Sequence, residues 1–304
     1  MDLRMEYFVT KVEETVKKLV PEFDVKTRLV PKNNGLTLHG ICIYPKGEDI
    51  APTIYLENYF QDFEAETSVE EIAKEIIAYA NALQSRISVQ KDIGKLYADF
   101  EWVKQHLVVK LINAEANQEM LRSVPHRIFG DMAIVYRVLI ETNTTEQILS
   151  AIVKTDHLTL WGDKTEAELH KIAIENSKVL LPSEARSMIR EMYDMMDVPK
   201  EIAEEPIPAE LDMYICTNEQ NVCGASVILY GDALKNVSRI VGSDLFVLPA
   251  TVDEAYCFST KNFSPDSAKE LIDVIVGDIP QEEVLSQEVF IYKKETGALG
   301  IIKE

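Results

Sequence analysis

Apolar residues recur at helical spacing from the start of the chain. Phe8, Val12, Val16 and Leu19 share one face of residues 3–20, which predicts an amphipathic helix. Strands are expected next at 24–30 and 36–44, where "DVKTRLV" and "LTLHGICIY" flank Lys32-Asn33-Asn34-Gly35. Asn-Gly accepts the positive φ angles of a tight turn, so the pair is read as a hairpin. A third strand follows at 52–58. Ser68, with Glu71 three residues on, forms a capping box that opens a long helix with Val69, Ile72, Ile76, Ala80 and Leu83 inward. "HLVVKLINA" (106–114) reads as a buried strand between short helices around Trp102 and 115–122. "DMAIVYRVLIE" (131–141) and "EQILSAIVK" (146–154) read as a hairpin across Thr142–Thr145.

Helices are predicted at 165–178 and 183–194. The segment 197–211, with three prolines and five acids, reads as a linker. Beyond it come strands at 212–217, 222–230, 245–249, 253–258 and 288–293, with helices at 232–241 and 265–277. The pattern predicts an α+β fold of mixed or antiparallel sheets with packed helices. Two domains are expected, 1–200 and 209–304, either separate or packed as one globule.

One internal echo suggests two repeated halves. "SAIVKTDHL" (150–158) and "SVILYGDAL" (226–234) share a frame, and each follows a strand opening Asp-Met-x-Ile, at Asp131 and at Asp212. On this reading each second strand runs into a helical turn capped by Asp156 or Asp232.

Composition narrows the function classes. The 304 residues carry a formal net charge of −20, spread along the chain, which disfavours a phosphate-binding surface. No apolar run approaches the roughly 20 residues of a membrane span, and the start lacks a secretory pattern, so a cytoplasmic protein is expected. Four scattered cysteines without a C-x-x-C pair disfavour a zinc site or disulfide framework, and no metal or cofactor is expected. Phosphate-loop, dinucleotide, zinc-protease and nucleophile-elbow motifs are all missing.

A few residues remain as candidate chemistry. His126, in "SVPHRIFGDMAIVYRV", could act as a general base or metal ligand oriented by Asp131, although a spacing of five joins them only if the backbone turns. The alternative is a chain entering a buried strand, with Asp131 capping it. His157 and Trp161 could line a pocket, or Trp161 could anchor a turn while His157 faces water. Asn176 falls on the apolar face of its helix, so it either ties down a neighbouring backbone segment or meets a ligand. If 218–221 is a four-residue hairpin loop, Cys216 and Cys223 oppose each other as a redox pair or as packed thiols. Glu57, Asp62, Glu64 and Glu66 form an acidic run expected in an exposed loop rather than at a metal.

Several stretches together resemble a bacterial family of unknown function whose members run near 300 residues and are frequent in gut-dwelling low-GC Gram-positive anaerobes. They are "KNNG" with "LHGI" (32–41), "PTIYLE" (52–57), "PHRIFGDMAIV" (125–135), "HLTLW" (157–161), "TN" with "GA" (217–225) and "LFVLPATVDE" (245–254). The resemblance places Ser-Ser and a His near the Pro of the last stretch. Ala250, Thr251 and Asp253 stand there instead, which weakens a catalytic role. More faintly, the C-terminal half resembles a shorter uncharacterised bacterial family with a strand, helix, strand core ending in a Val-Pro or Leu-Pro step. The resemblance implies an intracellular bacterial protein and no known activity.

Three functional readings follow. The leading one is a non-catalytic binding or regulatory protein whose partner is another protein or a small molecule, with no nucleic acid or membrane involved. The second is a hydrolase-like enzyme with a site between the halves around His126 and Asp131. The third is an acidic decoy of a nucleic-acid-binding protein, which requires carboxylates along one continuous face.

Overall fold

The stripe Phe8, Val12 and Val16 forms one face of helix α1 (Leu3–Leu19), and each of these side chains is fully buried. The computed structural model describes residues 3–47, 51–88, 93–141, 149–220 and 222–302. By its contacts the chain divides into two units, Met1–Tyr97 and Ala98–Glu304.

In the first unit α1 is followed by β1 (Phe23–Pro31), β2 (Thr37–Pro45), β3 (Thr53–Tyr55), α2 (Glu57–Glu64), α3 (Val69–Ser88) and α4 (Ile93–Ala98). The strands form an antiparallel sheet in the order β1-β2-β3. Asn34 (φ 56°) and Gly35 (φ 73°) turn the β1–β2 hairpin, the backbone conformation that Asn-Gly favours. Ser68 Oγ accepts from the Glu71 N–H while Glu71 Oε2 accepts from the Ser68 N–H, so the capping box forms. Ile72, Ile76 and Ala80 then meet Phe8, Val12 and Ile41 in one core. Each large apolar side chain buried there contributes about 1.5–3 kcal/mol. Of the acidic run, Glu57, Asp62 and Glu64 lie on α2 rather than in a loop, and Glu66 follows the helix in a left-handed turn (φ 70°). Tyr59, Phe60 and Phe63 recur at helical spacing, and Phe60 and Phe63 pack on Phe8 at ring separations of 5.5 and 5.0 Å.

The second unit opens with α5 (Phe100–His106), β4 (Leu107–Asn113), α6 (Gln118–Leu121), β5 (His126–Phe129), β6 (Met132–Glu141), β7 (Leu149–Ile152), α7 (Thr155–Leu160) and α8 (Glu166–Leu180). It continues with β8 (Ser183–Ser187), α9 (Met188–Met195), α10 (Lys200–Ala203), β9 (Met213–Asn218), α11 (Val227–Tyr230), α12 (Ala233–Val241), β10 (Leu245–Leu248), β11 (Ala255–Ser259), α13 (Pro265–Gly277), β12 (Phe290–Tyr292) and β13 (Leu299–Ile301). Its strands make a small sheet, β4-β6-β5 with β7 also on β6, and a larger one ordered β13-β12-β10-β11-β9-β8. Every pairing is antiparallel, so the fold is α+β.

Four local expectations fail here. Residues 183–187 are a strand, β8, and only the second half of 183–194 is helical. Residues 224–230 form a 3-10 turn and α11 rather than a strand, because β8 and β11 already occupy both edges of β9. The repeat fails with it, since Ser150 lies in a strand and Ser226 in a helical turn. Lys154, not Asp156, occupies the N-cap of α7. The turn expected at 142–145 lies outside the described residues. The expected linker, 197–211, lies inside the second unit, where Arg190 Nη2 donates to the Glu205 carbonyl.

The outer edge of β4 is buried, and two serines satisfy its amides. The Val109 N–H donates to Ser177 Oγ at 3.1 Å, and the Leu111 N–H donates to Ser226 Oγ at 3.0 Å. Unpaired strand amides at such depth would cost far more than exposed ones.

Candidate functional site

The small sheet is built around β6, and the register decides which of its backbone groups are free. Phe129 pairs with Met132 across the two-residue turn Gly130-Asp131, and Arg127 pairs with Ile134. In a two-residue hairpin the residues flanking the turn exchange backbone hydrogen bonds, and the alternate residues point away. Phe129 and Arg127 therefore face β6, while Ile128 and His126 turn their N–H and C=O groups to the outer edge. The same alternation turns the Val109 and Leu111 amides of β4 away from β6, where the two serines meet them. No strand pairs with this edge of β5 among the described residues, and Ile128 is 58% exposed.

Beside β5 runs an open groove of about 660 Å³ whose other wall is α6 with its preceding loop. Arg122 and His126 stand at one end, Leu121, Gln118 and Ile128 in the middle, and Ala114, Glu115 and Asp131 at the other end. The Ala114 N–H donates to the Asp131 carbonyl at 3.0 Å, which fixes that end. Beneath lie Ile112, Leu121, Val124, Ala133 and Val135. The turn itself demands glycine. Gly130 has φ +67°, and a Cβ there would stand 2.7 Å from the Phe290 ring.

His126 and Asp131 thus line one groove, but their hydrogen bonds lead elsewhere. His126 Nδ1 lies 2.9 Å from the Val124 carbonyl. Ser286 Oγ donates to both Asp131 carboxylate oxygens, at 2.8 and 2.9 Å. Burial pushes the Asp131 carboxyl above its ordinary 3.8, against the opposing hydrogen bond from Ser286. Serine, aspartate and histidine are all present here, but not as a nucleophile relay. The Ser286 hydroxyl is fully buried and donates straight to the carboxylate, with no imidazole between them.

The other candidates stand apart from the groove. His157 Nδ1 accepts from the Lys154 N–H at 3.1 Å and so caps α7, with its ring 5.6 Å from that of the buried Trp161. Burial, with nearby Lys154, holds the His157 imidazole below its usual range. Asn176 Nδ2 donates to the Lys104 and Leu107 carbonyls and fastens the α5–β4 junction. Cys216 meets Cys257, not Cys223. Their sulfurs are 3.4 Å apart on adjacent strands β9 and β11, both fully buried. Cys223 lies past the turn in a left-handed conformation (φ 53°), and its N–H donates to Asp253 Oδ1 at 2.7 Å. No group of three or more His, Cys, Asp or Glu side chains suited to a metal occurs among the described residues. There too, no helix is long and apolar enough to cross a membrane.

The opposite face of the small sheet carries a cluster that no sequence spacing indicated. Tyr136 Oη donates to Glu166 Oε1 and lies 3.2 Å from His170 Nδ1, while Arg127 grips Glu166 through Nε and Nη2 at 3.2 and 3.0 Å. Burial raises the Glu166 carboxyl, but the hydrogen bonds from Arg127 and Tyr136 outweigh it and leave the net shift downward. Burial and Glu166 together push the Tyr136 phenol well above its usual range, which keeps it a donor. The cluster pins the first turn of α8 to β5 and β6. Glu166 and His170 of the helix lie 30 to 43 positions from Arg127 and Tyr136 of the sheet, so only the fold brings the two pairs together.

The second unit therefore presents a small antiparallel sheet in which one edge of β5 is paired by no described strand, with a helix-walled groove beside it. The chain belongs to the Family of unknown function (DUF5688), whose model matches residues 5–294. No curated protein and no solved structure matches it.

Proposed function

We propose that the chain is a non-catalytic binding protein and that the groove between β5 and α6 takes its ligand. The observation that carries this reading is the groove's construction. It sets apolar Leu121 and Ile128 between an Arg122–His126 end and a Glu115–Asp131 end, over a packed core. A few polar groups around an apolar middle suit orientation of a ligand. The polar side chains best placed for catalysis instead serve the fold, His126 toward Val124 and Asp131 toward Ser286.

Titrating ¹⁵N-labelled protein with peptide and small-molecule libraries tests the reading. Amide shifts should gather on residues 114–131, and the bound probes should come through chemically unchanged. Shifts confined to other surfaces would overturn it. So would turnover of an activated ester that is lost in His126→Ala, which would restore the hydrolase reading.

A further inference from the structure

Within that reading, on which this step rests, we infer that the groove's ligand is an extended peptide segment that adds to the small sheet as a strand along β5. The backbone selects this chemistry. Ile128 and His126 present two N–H donors and two C=O acceptors at the repeat of a strand edge, the arrangement that another extended backbone satisfies. A small molecule would have to reproduce that repeat. A peptide meets it with any sequence, and its alternate side chains drop into the groove beside Ile128 and Leu121.

The length and polarity of the segment follow. The Thr155 N–H bonds to the Ser123 carbonyl at 2.9 Å, which closes the edge just before β5. At the other end Gly130 lies against Phe290 and Ile301. The opening between admits about four or five residues at roughly 3.3 Å each. An apolar side chain sits at the middle, and a Lys or Arg at the Glu115–Asp131 end. The net charge of −20 adds to this preference, and it opposes the alternative occupant, a second copy pairing β5 to β5.

The probe is an array of synthetic nine-residue peptides with Leu, Ile or Val at the centre and one Lys or Arg at varied distance. The best binder is then measured by fluorescence anisotropy on the full chain. N-methylation at alternate peptide positions, whose N–H groups would face β5, should weaken binding about tenfold or more, and at intervening positions less than about threefold. Ile128→Pro should give a similar loss. It removes an N–H that points away from β6 and leaves the β6 ladder its partners. Should that variant fold poorly, the N-methyl series on the unchanged protein still decides.

If peptides bind and Gln118→Trp blocks them, while neither N-methylation nor Ile128→Pro matters, strand addition is wrong and the groove reading stands. If no peptide binds, the peptide ligand is wrong. If peptides bind without any effect of Gln118→Trp, both readings fail. A dimer in sedimentation that Ile128→Pro dissolves would put a second copy on the edge and overturn the inference.

Discussion

Replacing Ser226 with alanine isolates the cost of the buried strand edge. The Ser226 side chain is 1% exposed, and its Oγ is the acceptor for the amide of Leu111, itself fully buried. Alanine fits the space but accepts nothing, so the Leu111 N–H stays dry and unpaired. A buried donor left without a partner costs about 1–3 kcal/mol. Taking about 2 kcal/mol, a unit of this size should lose roughly 4–8 °C in Tm. Calorimetry measures that loss, and hydrogen exchange shows where it falls. The Leu111 amide should exchange faster in Ser226→Ala, with little change at Val109, whose acceptor is Ser177. A loss below about 0.5 kcal/mol with Leu111 protection intact would refute the assignment of Ser226 as the acceptor that seals this edge.

Other expectations can be tested in the same way. Gly130→Ala must hold a side chain at φ +67° against Phe290, and should destabilise by more than about 1 kcal/mol in urea titration. Tyr136→Phe takes a buried hydroxyl from the Glu166 carboxylate, and should cost about 1.5–3 kcal/mol. Because burial raises the Asp131 carboxyl, the folded state holds its proton to higher pH than the unfolded chain does. Wild-type stability should therefore fall as pH rises from the ordinary 3.8 through the raised value, and Asp131→Asn should lose this slope in pH-dependent urea titrations. Cys216 and Cys257 are fully buried, and both Cys216 and burial push the Cys257 thiol up. Neither should react with iodoacetamide until the protein unfolds, as read by mass spectrometry.

What could be read from sequence was local. The Asn34-Gly35 turn and the Ser68–Glu71 box carry their conformations in the residues themselves, and both form. Stripes such as Ile72, Ile76 and Ala80 also held, since a long helix repeats its signal. Short apolar runs did not. "VCGASVILY" suits a strand as well as a buried helix, and the left-handed Cys223 decides between them. Pairing Cys216 with Cys223 depended on that strand and failed with it. Longer-range partners left no local trace. Ser286 lies 155 residues from Asp131, and Glu166 lies 39 from Arg127. The Pro125-His126 step was visible, but its meaning depends on a register set by the Gly130 turn, which makes His126 and Ile128 the outward residues.

Hydrogen exchange at single amides tests the central claim most directly, with the best array peptide bound to the full chain. The account predicts slowed exchange at His126 and Ile128, and no change at Arg127 and Phe129, whose amides already face β6. Equal slowing at all four, or protection that leaves His126 and Ile128 untouched, would contradict it.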